Sequence, residues 1–357
     1  MRTRITDKKK SKKKIIVALS GGVDSSVAAA LLKKVGFEVE GAYMRLNGSG
    51  ESEIMARRIC EKLEIPFHVF SFEKEFKKKV VENFLKDYKS GKTPNPCVVC
   101  NKEIKFGLFI KKALSLGADF IATGHYAGKE EVKSVGSKKI SYKLRQAKDN
   151  KKDQSYFLWK LNQFQLKKTL FPLKNLTKNE VRKLAKNFSL PTFNAPESQE
   201  ICFVKEGIEN FLGKNLKKIG SGKVIDSKGM VIGNHRGLVF YTIGQRKGIG
   251  LSGGPYYVLS KNRKRNTLIV TKNPAELKGF DLKAFNVNWI LGQEPELPIK
   301  IRAKIRYRHK PAEAVLRKLH KKTSYGIRFF KPQPAITPGQ SVVFLKGNEI
   351  LGGGIIS

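Results

Sequence analysis

Two groups of residues in this 357-residue chain have the types and spacing that chemistry needs. The first is Ser20-Gly21-Gly22-Val23-Asp24-Ser25-Ser26, set between the apolar run Ile15–Leu19 and a stretch of helical periodicity. Glycines let a backbone close on an anion, and a helix starting just after them aims free N–H groups and a partial positive charge at it. Ser25 and Ser26 add hydroxyl donors, and Asp24 is a carboxylate able to hold Mg²⁺ against phosphates. The Gly-Lys-Ser/Thr ending of a Walker A loop is missing. The second group is made of cysteines. Thr93-Pro94-Asn95-Pro96-Cys97-Val98-Val99-Cys100-Asn101 reads as a Pro-stiffened loop ahead of a helix, where Lys102, Lys105 and the helix N-terminus favour thiolate. Cys202 lies in Glu197-Ser198-Gln199-Glu200-Ile201-Cys202-Phe203. Two thiols suit sulfur transfer: one carries a persulfide, and the other attacks it and resolves the product as a disulfide.

The elements that must position these groups alternate. Ile15–Leu19 predicts a strand, and Val27, Leu31 and Val35 predict a helix. Strands near Val39–Arg45, Phe67–Phe72 and Phe120–Thr123 alternate with helices near Glu53–Leu63, Phe76–Tyr88 and from about Asn101. Alternation of this kind predicts a doubly wound parallel sheet, whose ligands bind at the carboxyl ends of the strands. After about residue 205 glycine turns multiply and helical periodicity fades. Ile301–Lys310 alternates, with Arg302, Lys304, Arg306, Arg308 and Lys310 on one face of an expected strand. Further short strands at Gly326–Phe330, Val342–Leu345 and Ile350–Ile356 predict a small antiparallel barrel. The expected organisation is therefore a basic leader (1–14), a catalytic α/β domain (15–204), a small central domain (205–278) and a C-terminal β-barrel (279–357).

Seventy-one Lys and Arg face 30 Asp and Glu, a net charge of +41. Such self-repulsion is usually offset by a polyanion such as nucleic acid, and residues 301–357 alone hold 12 basic and 2 acidic groups. A lysine-rich proteome is the plainer source of part of the surplus. Forty per cent apolar residues exclude a chain disordered throughout. No apolar run reaches the ~18 residues of a membrane span, and the first residues carry no secretory signal. Four cysteines are too few for a disulfide scaffold. Cys60, within a helical pattern, reads as a core thiol, as do Trp159 and Trp289 as core rings. The expectation is a cytoplasmic monomer.

The chain resembles the tRNA-specific 2-thiouridylase family, ATP pyrophosphatase-type enzymes acting on the wobble uridine. The resemblance rests on ALSGGVDSS, GKTPNPCVVCNKEIKF, ATGHY, DQSYFL and SQEICFV in order, then HRGLVFYTIGQRKGI, RYRH, TPGQ and LGGG. It implies ATP contacts at Ala18, Leu19, Ser20, Gly21, Gly22, Val23, Asp24, Ser25, Met44 and Gly124. It implies a nucleophile at Cys100, a persulfide carrier at Cys202, and target-base contacts at Asn95, Pro96 and Cys97. The tRNA contacts fall on His125, Lys152, Asp153, Gln154, Arg306, Tyr307 and Gln340. The implied partners are tRNA and a persulfide donor, either a cysteine desulfurase or a relay protein.

One position departs from the family pattern. Many members have Asp where this chain has Cys97, and a thiol of pKa near ~8.5 is a poorer general base at neutral pH. Related RNA thiolases hold a [4Fe–4S] cluster on three cysteines, which makes Cys97, Cys100 and Cys202 candidate ligands for one. Two other functions share features with this sequence. Another pyrophosphate-loop ligase would need the ATP loop but no paired thiols, and a non-catalytic RNA-binding protein would need neither.

Overall fold

The computed structural model describes residues 12–47, 50–133, 140–195, 201–217, 219–319 and 324–357. Most of the expected leader and residues 196–200 of the segment before Cys202 lie outside them.

The first sheet is parallel, built from β1 (Lys14–Leu19), β2 (Glu38–Arg45), β3 (Phe67–Ser71) and β4 (Phe120–Thr123). β1 lies between β2 and β4 in register Ile15↔Val39 and Ile15↔Phe120. A central parallel strand is covered on both faces, hence its unbroken apolar run. Ile15, Val17 and Leu19 join one core with helices α1 (Val23–Lys34) and α2 (Glu51–Leu63). Ile16 and Ala18 join the other, with Phe70, Phe76, Phe84, Ile104 and Phe109. Cys60 and Trp159 are core residues as expected, and Trp289 is half-buried against the barrel core.

The next helices are shifted from expectation. One starts at Glu73 rather than near Phe76 and continues through the π-helical stretch Lys77–Val81 to Lys89. The other starts at Pro96 rather than Asn101, and its π-helical stretch is Asn101–Leu108. Proline suits the first helical position because its missing N–H has no partner there anyway. Cys97 and Cys100 therefore stand within a helix that begins at Pro96, not in the loop before it.

Beyond β4, the hairpin β5 (Gly128–Lys133) and β6 (Ile140–Arg145) leaves the parallel sheet, and β7 (Thr169–Leu170) returns to pair with β4. The central segment forms β8 (Gly222–Ile225), β9 (Val231–His235), β10 (Tyr257–Asn262) and β11 (Thr267–Thr271) around Val224, Tyr241, Val258 and Leu268. The C-terminal barrel runs β12 (Lys278–Trp289), β13 (Ile299–Lys304), β14 (Ala312–Lys318), β15 (Ser324–Pro334), β16 (Ser341–Lys346) and β17 (Glu349–Ile356). It closes through β12–β17 pairing. β6 adds to β17 at Ile350↔Leu144, so the catalytic region and the barrel share one sheet. In β17, a Cβ at Gly353 would stand 2.9 Å from the Trp159 ring, so this glycine lets the indole lie against the strand.

The strand expected over Ile301–Lys310 stops at Lys304. Its cationic face is broken: Lys304 is buried, and Arg306 turns inward onto carbonyls of other segments. Alternation fixes facing only while the backbone stays extended, and here it turns.

Candidate active site

The glycine loop Ser20–Ser26, expected to hold ATP, lies at the carboxyl end of β1. Gly21 has φ +75°, and a Cβ there would come within 2.6 Å of the Ser52 carbonyl, so both conformation and space demand glycine. Ser25 Oγ accepts from Ser20 N–H (3.1 Å) and donates to the Gly22 carbonyl (3.1 Å). Ser26 donates to the Val23 carbonyl and meets Thr192 Oγ1 at 2.7 Å, which pins the start of α1. No side chain caps α1, so its first N–H groups lack a side-chain acceptor. Ala18, Leu19 and Val23 are buried and can offer a nucleotide only backbone. Gly124, after β4, presses on the loop: a Cβ would stand 2.7 Å from Ser25 N and 2.8 Å from the Asp24 carbonyl carbon. Met44, near the end of β2, is half-buried against the core that holds Cys100.

Asp24 is gripped by two groups that sequence reading missed. Its Oδ1 accepts from Lys178 Nζ (2.6 Å) and from the Tyr126 hydroxyl (2.8 Å). Lys178 was visible only as part of a helix start, the capping box Thr177–Glu180. Asp24 is the loop's single carboxylate. Mg²⁺ commonly takes one or two carboxylates plus substrate phosphates, so Asp24 fits such an ion if phosphates supply the remaining ligands.

Cys97 and Cys202 are exposed, and Cys100 is buried at the edge of the core. All three feel the charge of Lys105, and Cys202 acts electrostatically on both Cys97 and Cys100. Phe203 anchors the Cys202 segment by edge contacts with Phe76 and Phe84. The expected thiolate character is not what results. Loss of water around the sulfurs outweighs Lys105: burial pushes Cys100 up to about 12, and the protein packed about the solvent-reaching Cys97 and Cys202 raises both. Cys60, buried beside Gly41, is also pushed up to about 12. Among the described residues no three His, Cys, Asp or Glu side chains gather into a metal-holding group.

His125 follows β4, buried, with Nδ1 2.9 Å from Thr123 Oγ1 and its ring tilted over Phe106. Burial holds its pKa well below 6.5, with Lys105 acting in the same direction.

The loop before the cysteine helix is clasped from three sides. Gln340 Nε2 donates to the Thr93 (2.9 Å) and Pro94 (3.2 Å) carbonyls, and Thr93 N–H donates to the Pro338 carbonyl. Thr93 Oγ1 meets Thr242 Oγ1 of the central segment at 3.1 Å. Asn95 hydrogen-bonds the Tyr156 hydroxyl, which donates to the Ser341 carbonyl. Pro96 is buried. Arg306 donates to the Ile243 and Ala335 carbonyls and to Thr337 Oγ1, tying the barrel to the central segment. Tyr307 stacks 4.5 Å from Phe157. The structure thus places Gln340 and Arg306 as clasps between segments.

The 149–154 turn holds the remaining expected contacts. Asp153 is buried and accepts from Gln146 Nε2, Ala147 N–H and both donors of Ser155. Gln154 Oε1 accepts from Tyr126 N–H (3.0 Å), and Lys152 is half-exposed.

Comparison with known proteins decides the family. Models described as tRNA methyl transferase HUP domain, tRNA methyl transferase PRC-barrel domain and aminomethyltransferase beta-barrel domain match residues 13–206, 209–272 and 280–356. The tRNA-specific 2-thiouridylase MnmA of Halothermothrix orenii is 45% identical over 355 residues, covering 95% of this chain and 97% of that protein. The chain belongs to the tRNA-specific 2-thiouridylase family. Its relative of the same name in Clostridioides difficile is 44% identical, over 95% of this chain and 96% of that protein. As in this family, the parallel sheet is an ATP-using fold. Among the described residues no helix is long and apolar enough to cross a membrane.

Proposed function

We propose that this protein uses ATP to replace the C2 oxygen of the tRNA wobble uridine with sulfur. What supports the reading best is that Met44 of β2, the strand paired with β1 up to the start of the glycine loop, packs on the same core as Cys100, Ile201 and Phe203. The nucleotide and sulfur groups thus share the carboxyl edge of the sheet.

Residues Ser20–Ser25 hold the triphosphate through backbone N–H and hydroxyl groups, with Gly124 setting the floor beneath them. Asp24 would hold Mg²⁺ with the phosphates, and the ion would neutralise charge on the departing pyrophosphate. The uridine is drawn out of the anticodon, since its C2 cannot be reached while stacked. Its C2 oxygen attacks the α-phosphate and pyrophosphate leaves, making that oxygen part of a good leaving group. The outer sulfur of a Cys202 persulfide then attacks C2, and AMP departs with the oxygen. Cys100 thiolate attacks the Cys202 sulfur, releasing the 2-thio base and leaving a Cys100–Cys202 disulfide. An external thiol reductant and a persulfide donor, a cysteine desulfurase or relay protein, reset the site. His125, neutral near pH 7, packs by the cleft as an uncharged polar wall.

The test is mass spectrometry of wobble nucleosides from tRNA incubated with enzyme, Mg-ATP and a persulfide source. A sulfur-for-oxygen mass gain that disappears in Cys100→Ala and Cys202→Ala is the expected result. Wild-type rates in either variant sink the mechanism, and tRNA-dependent release of AMP together with pyrophosphate in the absence of any sulfur donor would instead favour another pyrophosphate-loop ligase.

A further inference from the structure

Both groups that grip Asp24 are themselves held by the 149–154 turn. Tyr126, whose hydroxyl reaches Asp24, is clamped twice by Gln154: its N–H donates to Gln154 Oε1 (3.0 Å) and its carbonyl accepts from Gln154 N–H (2.8 Å). Lys178, whose ammonium reaches the same carboxylate oxygen, donates its backbone N–H to Asp149 Oδ2 (2.9 Å). The other Asp149 oxygen accepts from the N–H groups of Lys151 (3.0 Å) and Lys152 (3.2 Å). The four donors on Asp153 stiffen the turn, so its parts move together. A short, fully bonded turn with two lysines in succession therefore leads, through one side chain at each end, to the only carboxylate of the ATP loop.

We infer that Asp149 and Tyr126 are positioning residues that couple RNA engagement at the 149–154 turn to ATP binding, acting on Asp24 through Tyr126 and Lys178. The inference rests on the proposed reading of this turn as an RNA contact. Lys178 and a metal–phosphate group compete for one carboxylate, so the position of the ammonium sets how readily Asp24 can serve the nucleotide. An RNA phosphate drawn to Lys151 and Lys152 shifts the N–H groups that Asp149 holds. Asp149 in turn carries the Lys178 backbone with it. Linkage requires the effect to be mutual: if RNA tightens ATP binding, ATP tightens RNA binding by the same factor.

The experiment measures calorimetric affinity of the full chain for α,β-methylene-ATP with MgCl₂, with and without saturating unmodified tRNA. This analogue cannot release pyrophosphate, so no turnover intrudes. In wild type, tRNA tightens ATP binding by about fivefold or more, the lower end of common coupling factors. In Tyr126→Phe and Asp149→Asn the factor falls to within about twofold of one, while in Tyr126→Phe tRNA affinity measured without nucleotide stays within about threefold of wild type. Tyr126→Phe removes a single oxygen, and circular dichroism establishes that each variant is folded. A wild-type factor near one, or variants that keep the wild-type factor, overturns the coupling. Absence of tRNA binding by the wild type overturns the RNA reading beneath it, a result distinct from either.

Discussion

Gly124→Ala is the sharpest perturbation of the ATP site that the structure offers. The added Cβ would stand 2.7 Å from Ser25 N, 2.8 Å from the Asp24 carbonyl carbon and 3.0 Å from Ser25 Cα, where ordinary contact begins at 3.4 Å. All three neighbours are backbone of the ATP loop, so no flexible side chain can swing away. The loop must retreat by about 0.7 Å at the closest atom, the difference between 3.4 and 2.7 Å. Overpacking of this kind costs roughly 1–3 kcal/mol. On the proposed reading the displaced atoms are those that hold the phosphates, so that strain should be felt in nucleotide binding, about 5–150-fold in affinity. The assay is calorimetric binding of α,β-methylene-ATP, run beside Gly213→Ala, where nothing lies within 4 Å of the added atom. That control sits in the helix Ile208–Asn215 and should leave ATP affinity unchanged. Should Gly124→Ala bind the analogue within about twofold of wild type, the close approach does not shape the phosphate site.

Arg306→Ala removes a charged donor from two carbonyls and a hydroxyl, which costs about 1.5–3 kcal/mol and lowers the thermal unfolding midpoint. An unchanged midpoint combined with weaker tRNA binding would make Arg306 an RNA contact instead. Because burial pushes the resolving Cys100 thiol up to about 12, its thiolate is scarce at neutral pH. Single-turnover sulfur transfer should therefore climb close to tenfold per pH unit between about pH 7 and 9, and a plateau below about pH 8 would contradict this. His125 is held neutral well below its ordinary 6.5. The unfolded chain binds that proton first, so stability falls as pH drops below about 6.5 toward the folded value, and above it the residue contributes no slope. Urea titrations of His125→Asn across pH 7 to 5 should show a shallower loss than wild type, and equal slopes would refute the assignment.

The ATP loop and the parallel sheet were legible in the sequence because their determinants are local. Glycines at a strand–helix junction, an unbroken apolar β1 and serines after it each act over a few residues, whereas Cys100 and Cys202, far apart in the chain, were joined only by the family resemblance. The Arg306 and Gln340 clasps, by contrast, join residues separated by tens to hundreds of positions, and no pattern along the chain marks them. Cys97 and Cys100 entered the helix one turn early because Pro96 opens it. The Cys100 thiol is pushed up to about 12 because tertiary burial outweighs the neighbouring lysine. The alternation at Ile301–Lys310 was real as spelling, yet the chain turns after Lys304. Lys178 carries no signal of its own in the sequence and becomes a partner of Asp24 only because α1 and the helix Lys178–Asn187 pack side by side. Local sequence thus specified which chemistry was present. Folding decided which charges face one another, because electrostatic partnership depends on distance through space and burial, neither of which is written along the chain.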